Sequence, residues 1–255
     1  MASIVDARLQ CHHAAQFNTR LARAFVPARE DDSHTSLTWN PREQALVGEP
    51  FRVAAGQLRL GLRVRELSLL MFREGLREPA RLMLDGLTLS DASKWIEGFG
   101  VDAEALSRPI HFELEDHPLL HGAKFLARSN EQAFLELSSA YAQAAALLEE
   151  FRTAHNSSLV RCWPHHFDIA TLYSKADGSI GVGMSPGDRS YAEPYYYVSP
   201  WPYPPVDGLP ALGEHGTWHV EGWVGAVLRW EELGGQRDRA SVVRSFVSSA
   251  FQALR

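Results

Sequence analysis

Hydrophobic positions along this chain recur with two spacings, and the switch between them marks out the elements. In VDARLQCHHAAQFNTRLARAFV, residues 5–26, Leu9, His13, Phe17, Leu21 and Phe25 lie four apart. That spacing predicts a helix with one apolar stripe, stopped by Pro27. Short apolar runs follow at 34–39, 44–48, 58–72 and 80–86, each predicted as a strand. Within the third, Leu58, Leu60, Leu62 and Val64 alternate with Arg59, Gly61, Arg63 and Arg65, the signature of a half-exposed strand. Asn40-Pro41 and Asp85-Gly86 are turn signals, and Ser90, Asp91 or Ser93 can cap a short helix carrying Trp95 and Ile96. A long helix is predicted over 130–154, strands at 160–173, 179–184, 194–199 and 217–230, and a last helix over 239–253.

This order, helix, four strands, helix, and then the same again, predicts an α+β fold of antiparallel strands with helices segregated at the ends. Two similar halves are expected, 1–105 and 130–255, joined by a connector at 106–129 and packed as one globular unit. His34 and His166 stand 132 residues apart in comparable settings, and Gly48 precedes Gly181 and Gly183 by a similar interval. An internal duplication accounts for this, as do two unrelated halves.

Composition narrows the function classes. The 255 residues are 45% hydrophobic and 22% charged, the profile of a folded domain. A net charge of −6 with only scattered arginines argues against nucleic acid as a partner. No run approaches the length of a membrane span, and the first residues lack a leader pattern, so no membrane is expected. Cys11 and Cys162 are too few for a disulfide framework. A cytoplasmic protein is the expectation.

Candidate chemistry concentrates in RCWPHHFDIATLY, 161–173. Read as one strand, its alternation puts Cys162, His166 and Asp168 on one face and Trp163, His165, Phe167 and Ile169 on the other. His166 and Asp168 are then candidates for a general base with its orienting carboxylate, for a divalent-metal site completed by Glu193, or for a structural hydrogen-bonded pair. His165, Asp188 and His34 are further candidate ligands. Arg161, at the start of the strand, could hold an anionic group by its guanidinium fork or pair with Glu193 or Asp188. Seven prolines and five tyrosines lie between 186 and 210. This stiff aromatic stretch, with Tyr195, Tyr197 and Trp201, predicts a pocket wall, a lid over a sheet edge, or both. His219, Glu221 and Trp223 alternate on one face of a later strand, and His219 and Glu221 could line the same cleft. HFELEDHPLLHG, 111–122, reads as a solvated connector.

Two segments also resemble a bacterial family of unknown function, DUF5996. LQCHHAAQFNTRLARAFVPAREDDSHTSLTW resembles its opening helix, proline-containing loop and first strand. EEFRTAHNSSLVRCWPHHFDIATLYS resembles its helix ending in Phe-Arg followed by a strand with His and Phe-Asp, on which Phe151, Arg152, His165 or His166, Phe167 and Asp168 match. The likeness is patchy over 75–130, the helix-to-strand connection is shorter here, and the SPWPYPP loop lies outside the likeness. The resemblance implies no activity, because the family has none established. The sequence therefore predicts a small-molecule or metal-dependent site around His166 and Asp168, or else a non-catalytic protein that forms a homodimer. Beyond a divalent metal, no cofactor is implied.

Overall fold

Ser3 begins the first helix by accepting a hydrogen bond from the Asp6 amide, and the helix runs Ile4–Phe25 (α1) before the extended backbone at Val26. The computed structural model describes residues 3–255. Strands follow at Thr38–Asn40 (β1), Ala45–Val47 (β2), Phe51–Val53 (β3), Gly56–Arg63 (β4), Ser68–Arg73 (β5) and Ala80–Met83 (β6). Helices Leu89–Glu97 (α2), Ala103–Ser107 (α3) and Glu131–His155 (α4) come next. The second half holds Arg161–Trp163 (β7), Asp168–Lys175 (β8), Gly178–Ser185 (β9), Tyr195–Trp201 (β10), Thr217–His219 (β11), Gly225–Arg229 (β12) and helix Arg239–Leu254 (α5). The fold is α+β, with two antiparallel sheets, as the patterning predicts.

The first sheet has the order β1-β2-β4-β5-β6, with β3 paired to β4; the second has the order β11-β12-β10-β9-β8-β7. The run 58–72 is a hairpin, not one strand. Its reversal passes through Leu67, a left-handed residue at φ 48°. Thr88, rather than a residue at 90–93, caps α2 in a reciprocal capping box with Asp91.

The chain divides into two units. The first comprises Met1–Ser139 with Cys162–Phe167, and the second Ala140–Arg161 with Asp168–Arg255. The division falls inside α4 and not in the expected connector, whose residues belong to the first unit. There α1 packs on β3, β4 and α3, and Leu58, Leu60 and Leu62 of β4 are buried. In the second unit α5 packs on β9, β10 and β12, with Phe251 edge-on to Phe151 at 4.9 Å and to Tyr173 at 5.0 Å. Burial of each such aromatic removes on the order of 2–3 kcal/mol of apolar hydration cost.

Candidate functional site

The expected strand 160–173 is broken. β7 ends at Trp163, residues 164–167 form a turn, and Phe167 sits in the left-handed region at φ 58° before β8 begins at Asp168. The turn closes with the Phe167 amide donating to the Trp163 carbonyl at 2.7 Å. A reversal between residues 163 and 168 ends the alternation that put His166 and Asp168 on one strand face. His165 and His166 are exposed on the turn, their rings 4.4 Å apart, whereas Asp168 is buried. Partial burial, then the neighbouring His166 and His111, push His165 down to about 4. Pro164 carried the warning, since proline cannot donate to a strand ladder.

Within the first unit this turn is held by α1. His12 Nε2 donates to the Pro164 carbonyl at 2.7 Å, Gln16 Nε2 donates to it at 3.1 Å, and the His12 and Phe167 rings stack at 5.2 Å. The burial on α1 is far wider than its predicted stripe, for it also includes Arg8, Gln10, His12, Gln16, Asn18 and Thr19. The presumed solvated connector supplies partners. Glu115 binds Arg8 at 2.5 Å and offers its carbonyl to His13 at 3.0 Å, while His117 donates to Asp6 at 3.2 Å. Burial lowers His12 to about 4 and lowers His13 as well. His34 is buried in a 3-10 turn, where its Nδ1 accepts from the Arg29 amide at 3.2 Å.

In the second unit, register builds a different polar surface. On β10, Tyr195 lies opposite Ser185 and Arg229, and Tyr197 opposite Gly183 and Val227; Ala170 of β8 faces Gly183. Cross-strand partners share a face, so Asp168, Ser185, Tyr195, Tyr197 and Arg229 lie on one side of the sheet. Gly183 lets Tyr197 lie across β9. A Cβ there would meet the phenol oxygen at 2.6 Å and the Ile169 carbonyl at 2.8 Å. The Tyr197 hydroxyl thereby reaches Asp168 and donates a short hydrogen bond to its Oδ2. Tyr195 donates to Asp188 Oδ2 at 2.6 Å, and the other Asp188 oxygen accepts the Ser190 and Tyr191 amides at 2.7 and 3.0 Å.

Trp223 completes the set. It does not continue β11 as the alternation predicts; the chain bends after His219 and returns Trp223 onto that ring at 4.4 Å, close over Gly225. The three ring pairs among Tyr195, Tyr197 and Trp223 have centroid separations of 6.3, 6.4 and 6.3 Å. Tyr191 and His219 extend the group, with the Tyr191 hydroxyl 3.0 Å from His219 Nδ1 and His219 Nε2 2.8 Å from the Glu221 carbonyl. That pairing assigns the ring proton to Nε2. The Arg229 guanidinium lies 5.7 Å from the centre of the Tyr191 ring. Burial raises Tyr195, and its bond to Asp188 raises it further; burial also raises Tyr191. Both phenols are therefore neutral donors across the physiological range.

Of the sequence-predicted residues, Asp168, Tyr195 and Tyr197 come together here. Glu193 is exposed in the loop before β10, Arg161 is half-buried at the start of β7, and Trp201 is 62% exposed, edge-on to Tyr203. The metal set His166, Asp168 and Glu193 is not assembled: among the described residues, no group of three or more His, Cys, Asp or Glu side chains could hold a metal ion. Also among these residues, no helix is long and apolar enough to cross a membrane. The sequence marks Asp188 as a candidate ligand or ion-pair partner and His219 as a cleft residue, and the structure places both in this group. The places of Tyr191 and Trp223 in this ring group have no periodic signal in the sequence, because both arrive on loops that fold back. Comparison of the chain with protein-family models, curated proteins and solved structures finds no match.

Proposed function

We propose that this chain is a small-molecule-binding protein whose ligand carries an organic ammonium group, held against the Tyr195, Tyr197 and Trp223 rings. The observation that carries this reading is the near-equilateral ring triad whose two phenols each donate to a carboxylate. A phenol that donates to a carboxylate gains electron density in its ring, and an electron-rich ring attracts a cation more strongly. A point equidistant from the three centroids lies about 3.7 Å from each, inside the roughly 6 Å reach of a cation–π contact. Arg229 on Tyr191 is a cation already held by this group of rings. The proposal assigns binding rather than turnover. His219 commits both ring nitrogens, and Tyr195 and Tyr191 keep their protons.

His166, set apart from Asp168 by the break in the strand, takes no part in this reading; Asp168 enters it as the acceptor of Tyr197. The reading keeps the resemblance to DUF5996 as a proposal that rests on the Phe-Arg and His-Phe-Asp segments. It also keeps a cytoplasmic location, supported by the two buried free thiols Cys11 and Cys162. Calorimetric titration with n-butylammonium tests the binding site. Trp223→Ala is expected to weaken binding about tenfold and Tyr197→Phe about threefold, within the range of desolvated cation–π contacts. Equal affinity for the neutral isostere 1-butanol would refute the proposal.

A second reading, pairing of two copies, is favoured by the exposure of Trp201 and Tyr203 at 62% and 43%. A dimer mass in light scattering that Trp201→Ala reduces would support it; a monomer mass, or a mass unchanged by the substitution, would contradict it.

A further inference from the structure

The first unit contains a charged cleft of about 430 Å³, a volume suited to a small ligand. Its floor is built by register. Ala45 of β2 pairs with Arg63 at the end of β4, which brings the turn before β2 beside the 3-10 turn Val64–Glu66. Arg63 donates to Glu43 Oε2 at 2.5 Å, to the Glu43 carbonyl at 2.8 Å and to Glu66 at 3.2 Å. Glu66 also accepts Ser68 Oγ at 2.9 Å and Arg81 at 3.3 Å. Partial burial alone would raise the Glu66 carboxyl. The hydrogen bonds from Ser68 and Arg63, with the Arg63 and Arg81 charges, outweigh that and hold it below the usual carboxylate range. The floor is thus a closed ionic network with its charges matched inside the protein.

What the floor does not consume is charge of both signs on the lining. Arg65 projects from the exposed end of the 3-10 turn, and Glu131 opens α4; neither is in an ion pair or a side-chain hydrogen bond among the described residues. Arg42 makes only loose contacts, at 3.7 Å to Glu43 and 3.5 Å to Glu78. Both line the cleft with Arg42, and Leu135, one turn along α4 from Glu131, adds an apolar patch. A purely anionic ligand would meet Glu131, and a purely cationic one would meet Arg42 and Arg65. A dipolar ligand can satisfy charges of both signs.

We infer that this cleft binds a zwitterion of the amino acid or short-peptide class, its carboxylate on Arg65 and Arg42 and its ammonium on Glu131. The site lies in the first unit and does not depend on the ring triad of the second.

Calorimetric titration of the full chain with alanylalanine tests it, alongside N-acetyl-alanylalanine, which lacks the ammonium, and alanylalanine amide, which lacks the carboxylate. Each blocked peptide is expected to bind at least tenfold more weakly, a loss typical of one charge-assisted contact. Glu131→Gln is expected to abolish the preference for the free over the acetylated peptide while keeping the preference over the amide. Arg65→Gln is expected to do the reverse. Both side chains are exposed, so folding is unaffected and the melting temperature checks this. Trp223→Ala, which disables the proposed ammonium site of the second unit, should leave alanylalanine binding unchanged. Absence of heat at about 20 mM peptide, a concentration that would reveal even millimolar binding, would overturn the inference. So would blocked peptides that bind as well as the free one, selectivity that survives both substitutions, or binding lost in Trp223→Ala.

Discussion

The buried polar groups of α1 and the tyrosine–carboxylate face of β10 spend their hydrogen-bonding capacity in opposite ways. On α1, His12 and Gln16 both bind the Pro164 carbonyl, and His13 binds the Glu115 carbonyl. Side chains that satisfy backbone groups fix a turn in place and have little left to offer a ligand. On β10 the polar ends of Tyr195 and Tyr197 point at carboxylates, while the Tyr195 ring stacks toward Trp223 and the Tyr197 ring meets Trp223 edge to face. Both phenol hydroxyls are taken up there, and what is left for a ligand is aromatic surface. A histidine is therefore a poor marker of function in this chain. The histidine-rich turn, which attracts attention in the sequence, is held from below by its backbone, and the aromatic face carries the recognisable chemistry.

The sharpest way to break the comparison is to block the close approach on β9. Gly183→Val would drive a side chain into Tyr197 and the Ile169 carbonyl. A loss of about 4 kcal/mol, or failure to fold, is expected, at the upper end of overpacking effects. Urea unfolding reads it, and a near-neutral result would mean that Tyr197 does not lie across the strand.

Acid should act chiefly on the α1 side. His12 has a folded pKa of about 4, below the unfolded value of about 6.5, so the unfolded chain takes up a proton that the native chain refuses. Its stabilising contribution is complete above about pH 6.5, shrinks as pH falls through that value, and is gone near pH 4. The loss over this window is about 3 kcal/mol. In His12→Gln, which keeps a donor but does not titrate, urea midpoints between those pH values should fall much less. An equally steep fall would assign the acid sensitivity elsewhere.

Smaller effects separate the two regions further. Tyr195→Phe removes one donor from Asp188 but keeps the ring, and should cost about 1–2 kcal/mol, typical of a hydrogen bond to a charged group. His166→Ala, on the exposed turn, should change stability by less than about 0.5 kcal/mol. A loss above about 2 kcal/mol would show that His166 has a buried role after all.

The helices α1, α4 and α5 were legible because each keeps an apolar period for four or more turns. The hairpin in 58–73 was hidden because its reversal residue is Leu67, which carries none of the glycine or asparagine chemistry that usually announces positive φ. The turn 164–167 was half legible through Pro164, but Phe167 at φ 58° gives no local signal. Tyr195 and Tyr197 could be read as neighbours on one face from their two-residue spacing. Their partners could not, since Asp168 is reached across β9 through the space that Gly183 leaves, and Trp223 arrives by a bend after His219. The wide burial of α1 was illegible because its partners, Glu115 and His117, come from a stretch with no periodic pattern.

The proposed function requires that the Tyr195, Tyr197 and Trp223 rings receive a cation. The indole N–H resonance of Trp223, assigned by its absence in Trp223→Phe, reports on it directly during titration. A saturable shift with n-butylammonium is expected, with at least a fivefold weaker response to 1-butanol, as a cation–π contribution of about 1 kcal/mol requires. No movement with n-butylammonium, or equal movement with both compounds, would contradict it.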